Sequence, residues 1–164
     1  MSWYYLNVTV HVLAALLWLG GMFFFAAVGA PTIRRIEPPE LRAKLFSSLG
    51  TQFRRVGWIA IAGLVLTGLL NLHFRGMLAW TTLGDGSFWT TPYGHALAWK
   101  LVSVATMIVI SAIHDFVVGP ASARVRAGTP EALKLRRQAA WLGRINAIVG
   151  IVLVVAAVRL ARGG

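Results

Sequence analysis

Four long apolar segments decide what this chain can become: Tyr4–Gly29, Val56–Trp80, Tyr93–Val118 and Trp141–Leu160. Each reaches the ~20 residues that an α-helix needs to cross ~30 Å of hydrocarbon. No water reaches the backbone inside a bilayer, so only helices and closed barrels span it. Barrel strands alternate with period two, and these segments do not. The sequence therefore predicts an all-α integral membrane four-helix bundle, a single domain over residues 1–164. Composition agrees. Hydrophobic residues make up 57% and charged residues 13%, against about 45–50% and about 25% in soluble domains. So apolar a chain is not disordered. It has no Cys, which excludes iron–sulfur clusters, covalently attached haem, thiolate zinc sites and cysteine nucleophiles. The first segment reads as a span and not as a cleaved leader, because it lacks a basic head and its apolar run is too long.

A net charge of +11 would ordinarily suggest nucleic acid. The placement of the basic residues argues otherwise. Arg34, Arg35, Arg42, Lys44, Arg54 and Arg55 occupy the first connection, and Arg124, Arg126, Lys134, Arg136 and Arg137 the third. The second connection, Thr81–Pro92, has none. Basic loops stay in the cytoplasm, so both termini are expected on the periplasmic side of a bacterial inner membrane. Within the loops, Leu41–Leu49 has the spacing of a short amphipathic helix. Thr129-Pro130-Glu131 reads as an N-cap, a first-turn proline and a first-turn acid of a helix that runs on into the fourth span.

Ionisable side chains inside a span are costly unless paired or ligating, which makes them functional candidates. They are His11, His73, His95, Lys100, His114, Asp115 and Arg144, with Asn7 and Asn71 as neutral companions. Tyr4, Trp80 and Tyr93 are natural markers of the outer interface, and His11, His73 and Lys100 each lie seven residues from one of them. At 1.5 Å per residue, all three fall ~10 Å below that surface. Two imidazoles at one depth in a bundle form an axial pair for haem b, so His11 and His73 are the expected ligands. Arg75, His95 and Lys100 would meet the propionates, and Lys100 is also a candidate catalytic or proton-carrying group. Lys100, Ser103, Met107, Ser111 and His114 share one face of the third span. That face is either a packing seam or a path for protons or ions. Asp115 is expected to turn away from His114 and to pair with Arg144. Gly20, Gly21, Gly63, Gly68, Gly143, Ala147 and Gly150 are expected at close helix contacts. Met1, Met22, Met77 and Met107 are scattered, whereas a copper relay would cluster such ligands.

The stretch from His11 through Trp18 to Gly20-Gly21 resembles the opening helix of the CopD (copper-resistance protein D) superfamily, and is similar also to HemJ-type protoporphyrinogen oxidases. Trp99-Lys100, His114-Asp115-Phe116 with Gly119-Pro120, and Arg144-Ile145-Asn146 extend the likeness over nearly the whole chain. The resemblance implies a four-helix membrane bundle that binds haem b or copper. From HemJ-like proteins it implies essential roles for His11 and Lys100. From CopD-like proteins it implies copper uptake across the inner membrane.

The leading expectation is a haem b redox protein that passes electrons from a quinone or another membrane donor to a periplasmic acceptor. The alternatives are a copper-transport or copper-tolerance permease, a porphyrinogen oxidase-like oxidoreductase, and an accessory subunit without a cofactor. In the permease, His11, His73, His95 and Met107 would bind the ion. The lipid bilayer, a redox partner and a second copy in a homo-oligomer are the partners considered; nucleic acid is not among them.

Overall fold

The computed structural model describes residues 2–125 and 129–163. Arg126 and Met1, both named above, lie outside the described residues. Four helices are long and apolar enough to cross a membrane: α1 (Trp3–Arg34), α2 (Pro39–Phe74), α4 (Pro92–Ser122) and α5 (Pro130–Ala161). A short helix α3 (Trp80–Leu83) and a 3₁₀ turn (Phe88–Thr90) lie between α2 and α4. No strand occurs among the described residues. The chain divides into two compact units, Met1–Asp85 and Gly86–Gly164. Each is a helical hairpin, α1 with α2 and α4 with α5.

Most large apolar side chains point outward, among them Leu13, Leu17, Phe24, Ile59, Leu66, Val109, Ile148 and Val155. In water such a surface would drive aggregation; against lipid it is solvated. Lipid also removes the hydrophobic drive for helix pairing, which leaves close packing and interhelical hydrogen bonds to hold each hairpin.

In the first hairpin the seam can be followed from end to end. Tyr4 packs edge-on against Phe74, Asn7 meets Thr67 and Asn71, and His11 meets Thr67. Trp18 is buried beside Gly57, Gly21 lies under Phe53, and Phe25 stands edge-on to Phe46. Gly21 and Gly68 thus face the opposite helix as expected, with Phe53 and His11 respectively over them. Gly20 and Gly63 correct that expectation, since a Cβ at either would meet nothing within 4 Å.

α2 is a single helix of 36 residues, ~54 Å long at 1.5 Å per residue. It therefore absorbs the amphipathic stretch Leu41–Leu49, which the sequence had set apart. It also stops earlier than the apolar run does. Met77 N–H bonds to the Leu72 carbonyl and Gly76 N–H to the His73 carbonyl, with Gly76 at φ 67°. This Schellman pattern needs the left-handed conformation that glycine adopts without strain. Trp80 therefore lies beyond the helix, in α3.

Two stretches wind as π-helix just ahead of a proline: Phe25–Gly29 before Pro31, and Ile113–Val118 before Pro120. A helical proline donates no N–H, and its ring crowds the carbonyl four residues back. Widening the preceding turn relieves that crowding. A third π stretch, Leu16–Gly20, ends at the Gly20-Gly21 pair.

In the second hairpin, α4 is capped by Thr91, whose hydroxyl accepts from Gly94 N–H at 3.0 Å. Thr129 caps α5 through Ala132 N–H at 3.2 Å, as its sequence predicts. The 3₁₀ turn lies directly on the first turn of α4, where a Cβ at Gly94 would stand 2.1 Å from the Phe88 carbonyl oxygen. No side chain fits there without moving backbone. Gly94→Ala is expected to destabilise the protein by about 1–3 kcal/mol, the usual cost of overpacking. Thermal unfolding in detergent checks this.

The polar face of α4 turns toward α5. Ser103 and Met107 are buried, Met107 completely, and Asn146 Nδ2 donates to Ser111 Oγ at 3.1 Å. Asn146→Leu removes that bond and should weaken the hairpin by about 0.6 kcal/mol, the mean for interhelical bonds in membranes. Gly150 is buried on the same seam, whereas Gly143 faces open space.

Candidate functional site

The first hairpin places four polar side chains on facing helices at matched intervals. Asn7 and His11 lie one turn apart on α1, and Thr67 and Asn71 one turn apart on α2. One N–H of Asn7 goes to the Thr67 carbonyl and the other to Asn71 Oδ1, each at 2.9 Å. His11 Nδ1 lies 2.7 Å from Thr67 Oγ1. Asn7 and Thr67 are buried, and His11 is partly so. This network sits within an otherwise apolar seam.

Thr67 bears on which ring nitrogen of His11 carries hydrogen. Its hydroxyl oxygen lies 2.6 Å from the Gly63 carbonyl oxygen. Two oxygens approach that closely only with a proton between them, and a hydroxyl has one proton to give. Thr67 Oγ1 must therefore accept from His11, so the His11 hydrogen is on Nδ1. In the neutral ring the lone pair is then on Nε2. Metal-binding histidines likewise have one ring nitrogen held by a protein acceptor, which orients the ring. The ring stands over Gly68, where an added Cβ would make ordinary contact with His11 Cε1 at 3.5 Å.

His73 does not share this level. The depth count took Trp80 as the outer end of the second span, but α2 ends at Phe74. His73 is accordingly in the last turn of its helix, exposed, and beside Phe74. Thr67, the residue that meets His11, is six positions earlier. That separates the two levels by ~9 Å along the helix. The hairpin therefore does not bring His11 and His73 together as an axial pair. Arg75 caps α2, and its guanidinium donates to the Tyr4 hydroxyl at 3.1 and 3.3 Å. It lies eight residues beyond Thr67, ~12 Å along the axis, at the exposed end where salt screens its charge.

The other candidates belong to the second hairpin. His95 is exposed in the first turn of α4, and Lys100 is half-buried one to two turns further on. Met107 is fully enclosed, so it acts as core there. Asn146 holds Ser111, and Arg144 is exposed. His114 and Asp115 touch, with Nδ1 and Oδ1 2.9 Å apart, although neighbouring side chains were expected to diverge. They lie in the π stretch Ile113–Val118, where wider winding reduces the angle between consecutive side chains. Trp18, the remaining candidate, is buried against Gly57 and supports the first hairpin. Among the described residues, no group of three or more His, Cys, Asp or Glu could hold a metal ion.

Thr67 is the member of this network that the sequence reading missed. The signal was present as equal spacing: polar residues four apart on one span, facing polar residues four apart on the next.

Comparison with known proteins gives two matches. The family model described as Copper resistance protein D matches residues 47–160. That range begins within α2 and so includes Thr67 and nearly all of the second hairpin, while α1 with His11 precedes it. An uncharacterized protein of Aquifex aeolicus (strain VF5) is 31% identical over 155 residues, which cover 94% of this chain and 92% of that protein. No solved structure matches.

Proposed function

The chain belongs to the Copper resistance protein D family, and from that premise we propose that it passes copper ions through the membrane, with His11 as the copper ligand of the first hairpin. The ion is cargo here, bound in transit. One observation carries the reading: the Thr67 hydroxyl, committed to Gly63, leaves His11 with its lone pair on Nε2. Neutral imidazole is a good ligand for copper. A polar, hydrogen-bonded site within a lipid-facing hairpin gives an ion a place to shed water.

Conduction requires binding strong enough to admit an ion and weak enough to let it go. The haem b reading needs two axial imidazoles at one level, and His11 and His73 are offset.

The placement of Lys and Arg supports a bacterial inner-membrane location, with the basic connections after the first and third spans in the cytoplasm and both termini outside. In that orientation His11 lies toward the periplasmic end of its helix. Copper accumulation in cells tests the reading. Cells that express the protein should change their copper content relative to cells that express His11→Ala at equal membrane levels. Equal copper content in the two strains would contradict it.

A further inference from the structure

The first three turns of α5 present a cleft that the first hairpin's site does not use. We infer that this cleft holds the headgroup of an anionic phospholipid, with Lys134 and Arg137 on the phosphate and Trp141 at the boundary with the acyl chains. The inference is independent of the copper reading. It needs only the membrane, and the orientation given above assigns the lipid to the cytoplasmic leaflet.

Pro130, Leu133, Lys134, Arg137, Gln138 and Trp141 line a cleft of about 480 Å³. That volume is typical of a small-ligand site. Steps of three and four residues put all six on one face of the helix. The packed side of α5 is the opposite one, marked by buried Ala132, Asn146 and Gly150, with Asn146 bonded to Ser111 of α4. The cleft therefore looks away from α4, and every residue that lines it is exposed. Its lining has two cations and no acid. Among the described residues, the side chains of Lys134 and Arg137 have no ion-pair partner. Their charge is thus available to an external anion.

Depth selects which anion. Trp141 precedes Ala161, the last residue of α5, by 20 residues, ~30 Å at 1.5 Å per residue. That is the thickness of the hydrocarbon layer, and an indole favours its boundary. Arg137 and Lys134 lie four and seven residues further out, ~6 and ~10 Å along the axis. The headgroup layer extends ~5–7 Å beyond the hydrocarbon, so both long side chains reach its phosphates. Guanidinium and ammonium groups form strong, charge-assisted bonds to phosphate oxygens, and the Gln138 amide adds a further donor. Leu133 and Trp141 supply apolar surface for the glycerol and the upper acyl chain, which a free anion would not use. Arg136 carries the same charge at the same depth but lies off the cleft.

The test uses the full chain in neutral detergent, titrated with phosphatidylglycerol or with phosphatidylcholine and read by native mass spectrometry. A basic residue near an anionic lipid surface is worth about fivefold in affinity, so two give a preference of about 25-fold for phosphatidylglycerol. Lys134→Gln and Arg137→Gln should each lower that preference about fivefold, and the double variant should remove it. Arg136→Gln should leave it unchanged. At matched ionic strength, inorganic phosphate should displace no more lipid than chloride does. Circular dichroism confirms that the variants fold. The proposal is overturned if the wild type holds both lipids equally, or if Arg136→Gln costs as much as Lys134→Gln, which would show a response to total charge alone. Displacement by inorganic phosphate beyond that by chloride would mark a site for a free anion and overturn it as well. A wild type that binds copper without preferring phosphatidylglycerol removes this site and leaves the copper reading standing; the reverse result removes the copper reading and sustains this site.

Discussion

Replacing His11 with Ala is expected to abolish copper binding by the first hairpin and to lower its copper affinity by more than about 100-fold, beyond the effect of losing only a supporting group. The hairpin itself should survive. Asn7 keeps its bonds to the Thr67 carbonyl and Asn71, Trp18 remains against Gly57, and the Tyr4–Arg75 contact is untouched. The lost His11–Thr67 bond costs only about 0.6 kcal/mol in a membrane setting. Function and stability should therefore separate: copper is lost, while thermal unfolding in detergent moves little. A variant that unfolds as it loses copper would assign His11 to packing instead.

The second large effect falls on Thr67. Thr67→Val keeps the shape and removes the hydroxyl, so His11 Nδ1–H loses its acceptor and the ring its fixed tautomer. Copper affinity should fall about 10–100-fold, which corresponds to about 1.4–2.7 kcal/mol. Thr67→Ser retains the oxygen and should restore most of the affinity. This pair of variants distinguishes positioning from bulk. If Val and Ser behave alike, the hydroxyl does not orient the imidazole. The same logic gives Gly68→Ala a small effect, since its Cβ would make ordinary contact at 3.5 Å with His11 Cε1.

The spans were legible because hydrophobic length is a local property. Thr129 and Pro130 at the start of α5 were legible for the same reason, since a cap is written within one turn. The error at His73 came from a boundary. The apolar run continues past Phe74 to Trp80, but Gly76 takes the left-handed conformation that ends α2. Hydropathy has no means of seeing that stop. Once Trp80 leaves the helix, the depth assigned to His73 leaves with it. The contact between His114 and Asp115 was hidden by an assumed regular α-helix, and Pro120 is the local reason it is not regular there.

The pairing of His11 with Thr67 is of another kind. It depends on the register of two helices joined by a turn, which no single window contains. Asn7 and Asn71 were recognised as polar residues in spans, and they do meet. Thr67 was not among those residues; a threonine hydroxyl can bond back to a carbonyl of its own helix. It does so here with Gly63, and that bond is what makes it an acceptor for His11.

The most direct test of the account is the nitrogen NMR spectrum of the protein labelled only in its histidines, recorded before and after cuprous ion is added. The His11 signals are identified by their absence in His11→Ala. The account predicts that His11 carries its proton on Nδ1 in the free protein, and that copper shifts Nε2 while Nδ1 stays protonated. A proton on Nε2 in the free protein, or an Nε2 signal indifferent to copper, would contradict it.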